Sequence, residues 1–143
     1  MDEIYHQALK LLRRRDYTIA QLREKLESKF GEVPKETIEI LKAKHFLDDG
    51  RYAVNLVNKR KDFHPALVRE ELLTSGVSPD IVEHAITVHD WPSLQHVLRA
   101  KIMHWNLQPP IQRKEANRLY RLLARLGYPE DEIREELEQL HEK

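Results

Sequence analysis

The stretch 72–86, LLTSGVSPDIVEHAI, places a glycine and then a proline between two apolar runs. Glycine often ends a helix because it tolerates positive φ, and proline fits the first turn of the next helix. The same order recurs at 26–41, LESKFGEVPKETIEIL, and at 122–137, LLARLGYPEDEIREEL. The recurring glycines are Gly31, Gly76 and Gly127, separated by 45 and 51 positions. This spacing indicates a repeated unit of three helices.

Apolar residues follow helical spacing along the chain, and no stretch alternates as a half-buried strand would. Nine helices are predicted, in three triplets at residues 1–47, 48–90 and 91–143. One unit of this size cannot bury its apolar face alone, so neighbours must stack. We therefore expect an all-α protein, an elongated curved array of tandem three-helix repeats. Asp90 is predicted to cap the seventh helix, which would begin at Trp91.

Bulk composition excludes several classes of protein. The 143 residues carry 24 basic and 24 acidic side chains, which argues against nucleic-acid binding by bulk charge alone. The absence of cysteine excludes disulfides, thiolate catalysis and cysteine-based zinc sites. No apolar run approaches the ~20 residues needed to cross a bilayer, and the N-terminal charge order is the reverse of a secretory signal. We expect a monomeric cytoplasmic protein without membrane association.

Charge is unevenly distributed along this neutral chain. Residues 91–125 contain seven basic and one acidic side chain, a net charge of +6, whereas residues 126–143 carry −5. In the eighth predicted helix, four cations spaced 4, 3 and 4 apart share one face. We call them the cationic stripe: Lys114, Arg118, Arg121 and Arg125. Two interpretations stay open, pairing with the glutamates of the ninth helix or contact with phosphate or an acidic protein surface.

A smaller basic cluster lies near the N-terminus. Lys10, Arg13 and Arg14 fall close together on the first predicted helix. Charged side chains in such numbers usually form a solvated helix face, and that is the favoured interpretation of this cluster. Contact with a partner is the alternative.

Residues 45–56, HFLDDGRYAVNL, contain a pair of carboxylates beside a histidine, which could suggest a metal site or acid–base chemistry. Asp48 and Asp49 beside His45 match no known metal-ligand spacing, whereas aspartate at a helix start accepts hydrogen bonds from free N–H groups. We therefore predict that these aspartates cap the fourth helix, with Arg51 pairing one of them and Tyr52 beginning the apolar face. No catalytic motif is visible, so the sequence predicts an interaction protein, without cofactor or metal, rather than an enzyme.

Several segments together resemble the RecX family of recombination regulators. The segments are ALKLLRRRDYTIAQLREKL, FLDDGRYAVNLVNKR, PALVREELLTSGVS and LLARLGYPEDEI. They follow the family's order, and the resemblance extends over nearly the whole chain. The chain departs from the family pattern at residues 64–67, HPAL, where Gly-Pro-x-Arg is usual. The resemblance implies a fold of three tandem three-helix repeats.

The resemblance also implies a function. RecX-like proteins lie in the groove of the RecA recombinase filament, inhibit its ATPase, strand-exchange and coprotease activities, and so modulate recombinational DNA repair and the SOS response. The residues expected to contact the filament or DNA are Lys10, Arg13, Arg14, Arg51, Lys59, Arg60, Arg69, Lys114, Arg118, Arg121 and Arg125. The alternatives are a helical-repeat adaptor for another acidic protein and a direct DNA-binding protein.

Overall fold

Residues 2–141 are described in the structure, a computed structural model, and over that range the chain forms nine α-helices and no strand. The helices are α1 (Glu3–Arg14), α2 (Ile19–Phe30), α3 (Lys35–Ala43), α4 (Asp49–Lys59), α5 (Pro65–Thr74), α6 (Pro79–Val88), α7 (Leu94–His104), α8 (Arg113–Arg125) and α9 (Glu130–His141). The predicted all-α class is confirmed.

Helix starts follow from side chains that accept hydrogen bonds from free N–H groups. The Asp2 carboxylate accepts from the Tyr5 N–H at 2.8 Å at the start of α1. Thr18 and Gln21 form a reciprocal capping box on α2, in which each side chain bonds the backbone N–H of the other. Such caps are typically worth about 1 kcal/mol each, so they determine where these short helices begin.

The start of α7 differs from the sequence prediction. The helix begins at Leu94 rather than Trp91, and its cap is Ser93, whose hydroxyl accepts from the His96 N–H at 3.1 Å. The prediction of Asp90 as cap was wrong. Pro92 explains the difference, because proline disfavours the helical conformation in the residue before it.

The three recurring glycines lie at helix ends with positive φ, at 79° for Gly31, 91° for Gly76 and 98° for Gly127. The Gly76 N–H, just after α5, donates to the Leu73 carbonyl, and the Gly127 N–H, just after α8, donates to the Ala124 carbonyl. Two constraints favour glycine at position 76. The backbone has a positive φ, and a Cβ there would overlap the Cβ of Ala20 on α2.

Residue contacts divide the chain into two compact units. The first holds the chain up to Lys59 together with Arg69–His89, and the second holds Arg60–Val68 together with Asp90 and the residues after it. The first turn of α5, up to Val68, therefore belongs to the second unit, and the rest of α5, from Arg69, belongs to the first unit. The predicted boundaries of three repeats stay a prediction.

Each unit has its own apolar core. In the first unit α1, α2 and α3 bury one cluster, consisting of Tyr5, Ala8, Leu11, Tyr17, Leu22, Leu26, Ile38, Leu41 and Leu47. In the second unit α7, α8 and α9 bury another, consisting of Leu94, Val97, Leu98, Ile111, Ala116, Leu119, Leu123, Leu126, Tyr128, Ile133 and Leu137. These cores hold the helices whose outer faces carry the candidate sites.

Candidate partner-binding surfaces

Helix α8 has one buried face and one charged face. Ala116, Leu119 and Leu123 are buried in the second unit's core, and the four cations of the stripe are all exposed. The separation follows from the spacing of three and four residues, which keeps each set on one side of the helix. The helix therefore anchors itself through leucine while presenting basic side chains to solvent.

The acidic helix α9 forms no ion pair with the cationic stripe among the residues that the structure describes. Two of the acids bond elsewhere, because Glu130 accepts from the Tyr120 hydroxyl and Glu136 from the Gln95 amide, each at 2.6 Å. The first of the two interpretations offered by the sequence is therefore wrong for the glutamates of the described chain.

A shallow groove runs beside the stripe. Its volume is about 310 Å³, and Trp105 and Leu122 supply its apolar lining between the guanidinium groups of the stripe. The Arg118 guanidinium lies over the Trp105 indole, 4.6 Å from the ring centroid, which is cation–π geometry. Trp105 is half-buried against the core and also shapes this charged groove.

The two aspartates of the 45–56 stretch serve different helices. Asp48 caps α4, since its Oδ1 accepts from the Arg51 N–H at 3.0 Å. Asp49 accepts instead from the Ile19 N–H at 2.9 Å, at the start of α2 and 30 positions away. The prediction that Asp49 caps α4 was therefore wrong, because its carboxylate bonds the start of α2. Burial raises the pKa of the Asp49 carboxyl, and that backbone bond opposes the shift.

Arg51 does not pair with an aspartate as the sequence suggested. Its guanidinium donates to two backbone carbonyls, those of His45 at 2.8 Å and Phe46 at 3.4 Å. His45 has φ of 64°, so these bonds hold a turn in the left-handed region. Arg51 therefore fixes the turn between α3 and α4, although its side chain is exposed.

The remaining predicted cations fall into engaged and unengaged groups. Arg69 pairs with Glu83 at 2.8 Å, and the Arg60 guanidinium lies 5.3 Å from the Phe63 ring centroid. Lys10, Arg13, Arg14 and Lys59 are exposed, and within the described chain they have neither ion pair nor hydrogen bond from the side chain. The unengaged cations are the ones free to meet a partner without breaking an internal contact.

The described residues contain no group of three or more His, Asp or Glu side chains placed to hold a metal ion. Nor do they contain a helix whose length and apolar character would suffice for membrane crossing.

Comparison with known proteins shows consistent similarity to one family, although no family model matches the chain. The regulatory protein RecX of Leptothrix cholodnii is 31% identical over 134 residues, covering 91% of this chain and 84% of that protein. The RecX of Trichlorobacter lovleyi is 31% identical over 143 residues, covering 93% of this chain and 92% of that protein.

The fold is similar to those of two solved structures. A crystal structure of RecX from Lactobacillus salivarius matches with a TM-score of 0.64 at 20% identity and covers 96% of each chain. A second RecX crystal structure matches with a TM-score of 0.57 at 18% identity. The predicted all-α helical-repeat class agrees with these matches.

Proposed function

Because the chain belongs to the RecX family of regulatory proteins, we propose that it binds the RecA recombinase filament in its groove. Bound there, it inhibits ATP hydrolysis, strand exchange and coprotease activity, and so modulates recombinational DNA repair in the cytoplasm. It acts by binding, without catalytic chemistry of its own. The observation that carries the proposal is the exposed cationic stripe on α8.

Three properties of the stripe support a role in binding an acidic groove. Its four cations span about 16 Å along the helix, since eleven residues each rise 1.5 Å. They have no ion pair within residues 2–141, so binding breaks no internal salt bridge. They also concentrate positive charge on a chain of zero net charge, which directs an acidic partner to this face rather than to the whole surface.

Arg118 is additionally held in place before any partner arrives. Its contact with Trp105 limits the rotamers of a long side chain that would otherwise lose conformational freedom on binding. A partly ordered cation therefore costs less to immobilise in a complex.

The test is RecA ATPase activity on single-stranded DNA, measured with the wild-type chain and with a variant carrying Lys114→Glu, Arg118→Glu and Arg121→Glu. The wild-type chain is expected to inhibit. The variant is expected to need at least about tenfold more protein for the same inhibition, because three favourable contacts become repulsive. Circular dichroism establishes that helix content is kept.

A control variant separates position from total charge. Arg23→Glu, Lys25→Glu and Lys35→Glu change the net charge by the same amount, and all three side chains are exposed and distant in sequence from the stripe. This variant is expected to inhibit as the wild type does. Equal inhibition by the stripe variant and the wild type would contradict the role of the stripe.

A second candidate function is direct binding to single-stranded DNA. It is favoured by the groove, where an indole and several guanidinium groups lie together, because bases stack on aromatic rings while cations meet phosphates. The test is affinity for an oligonucleotide without RecA at several salt concentrations. Direct binding predicts a steep loss of affinity with salt, and a flat response excludes it.

A further inference from the structure

A second concave surface lies in the first unit, between the C-terminal half of α1 and the turn that joins α3 to α4. Its volume is about 280 Å³, and Leu9, Leu12 and Phe46 form its apolar lining. We call it the Phe46 groove. It is smaller than the roughly 300–1,000 Å³ of sites for drug-sized ligands, so it suits one or two protein side chains.

The fold holds an aromatic side chain outward in this groove. Phe46 is 44% exposed, whereas the next residue, Leu47, is 2% exposed and belongs to the core. The preceding residue, His45, has the left-handed φ of 64°, and the Arg51 guanidinium donates to the backbone carbonyls of His45 and Phe46. The turn that presents Phe46 is thus fixed by specific contacts rather than left mobile.

The apolar lining is continuous rather than a single exposed ring. Leu9 and Leu12 pack against the core of the first unit but keep part of their surface in the groove beside Phe46. Isolated exposed apolar residues are common and need no explanation, whereas a contiguous concave group is typical of an interaction site.

Charge around the groove selects the kind of partner. Arg13 and Arg51 line its edge, and Arg13 has no ion pair or hydrogen bond from its side chain within the described chain. Arg51 uses two of its five N–H donors on the turn, which leaves others available. Asp16 is the single acid in the lining, and its carboxylate accepts a hydrogen bond from the Asn55 amide at 3.5 Å.

This combination fits an acidic protein segment better than a nucleic acid. Cations outnumber the acid, so a carboxylate next to an apolar anchor would pair with Arg13. A continuous phosphate backbone would instead pass the Asp16 carboxylate, and the two leucines beside the Phe46 ring offer aliphatic surface, on which a base does not stack.

We propose that the Phe46 groove receives an apolar side chain of an acidic protein segment, with Arg13 pairing a carboxylate beside that anchor. The proposal rests on the function proposed above, and it assigns the segment to the RecA recombinase. In this proposal the Phe46 groove binds an apolar side chain of RecA, and the cationic stripe on α8 binds its acidic surface.

The experiment measures the Kd of the chain for RecA filaments assembled on single-stranded DNA, using wild type, Phe46→Ala and Arg13→Glu. Each substitution is expected to weaken binding about tenfold, the effect of removing one anchoring side chain. Leu73→Ala is the control for Phe46→Ala, since Leu73 is 43% exposed and lies outside the groove. Arg23→Glu is the control for Arg13→Glu.

The outcomes separate the groove from the wider function. Failure of the wild-type chain to bind the filament would overturn the RecA function, and the groove assignment with it. Filament binding by the wild type with unchanged Kd in both variants would overturn the groove alone. A parallel loss of affinity of Phe46→Ala for an oligonucleotide without RecA would overturn the protein assignment in favour of nucleic acid. Arg13→Glu alters only an exposed side chain, so it decides the matter if Phe46→Ala does not fold.

Discussion

The hydroxyl of Thr18 donates a 2.6 Å hydrogen bond to the backbone carbonyl of Ser75, 57 positions later in the chain. Thr18 caps the start of α2, and Ser75 lies just after the end of α5. In the second unit the His64 N–H, just before α5, donates to the Leu126 carbonyl, just after α8, at 2.8 Å. In both cases a group at the start of one helix donates to a free carbonyl at the end of the third helix after it, from α2 to α5 and from α5 to α8.

Replacing Thr18 by valine is expected to destabilise the fold by about 2–3 kcal/mol. The change preserves shape, but it removes both the cap of α2 and the partner of a partly buried carbonyl. Urea denaturation measures the difference in free energy of unfolding. Thr18→Ser, which keeps the hydroxyl, is expected to cost about 1 kcal/mol or less, and equal losses in the two variants would exclude the hydrogen bonds as the cause.

Gly76→Ala is expected to destabilise the fold by more than the backbone strain of about 1–2 kcal/mol alone. The added Cβ would overlap the Cβ of Ala20, so α2 or α5 must shift. In a double-mutant cycle, Ala20→Gly is expected to recover part of the loss by removing that overlap. Strict additivity of the two substitutions in chemical denaturation would show that the two helices do not meet as closely as described.

Asp49 is expected to make folding stability depend on pH. Its pKa is raised above the ordinary 3.8 by burial, so the folded state keeps the proton to a higher pH than the unfolded state does. This carboxyl therefore lowers stability as the pH rises from 3.8 through the raised pKa. The variant Asp49→Asn keeps an acceptor for the Ile19 N–H without the charge.

At neutral pH, Asp49→Asn is expected to equal or exceed the wild type in stability, and the difference should vanish below pH 3.8. Asp49→Ala removes the acceptor and is expected to cost about 0.5–2 kcal/mol, as loss of a cap does. Thermal melts across the acidic range test both. If the wild type instead became more stable relative to Asp49→Asn as the pH rises, the raised pKa of Asp49 would be contradicted.

Leu72→Ala and Leu123→Ala are each expected to cost about 2–5 kcal/mol, because both side chains are fully buried and truncation leaves a cavity. Leu72 tests the packing of α5 in the first unit, outside the cluster of α1, α2 and α3, and Leu123 tests the core of the second unit. Met103→Ala is the comparison, since Met103 is 80% exposed and its truncation should change stability by less than about 0.5 kcal/mol. Melting temperatures unchanged from wild type would contradict the burial of these leucines.

Local sequence patterns predicted the helices and the two faces of α8, because helical spacing and glycine–proline order act within a few residues. The partner of Asp49 could not be predicted in this way, since the Ile19 N–H is 30 positions away and any helix start could have been its donor. The role of Arg51 was missed for a related reason. Every residue has a backbone carbonyl that can accept from any donor side chain within reach, so no sequence pattern identifies this partner.

The contact between Arg118 and Trp105 has a practical consequence for solution work. The chain has two tryptophans, so Trp91→Phe would leave the indole beneath Arg118 as the sole strong emitter. An anion that draws this guanidinium off the ring would alter the polarity around the indole and hence its fluorescence spectrum. Occupancy of the basic face could then be followed by intrinsic emission, without an attached dye.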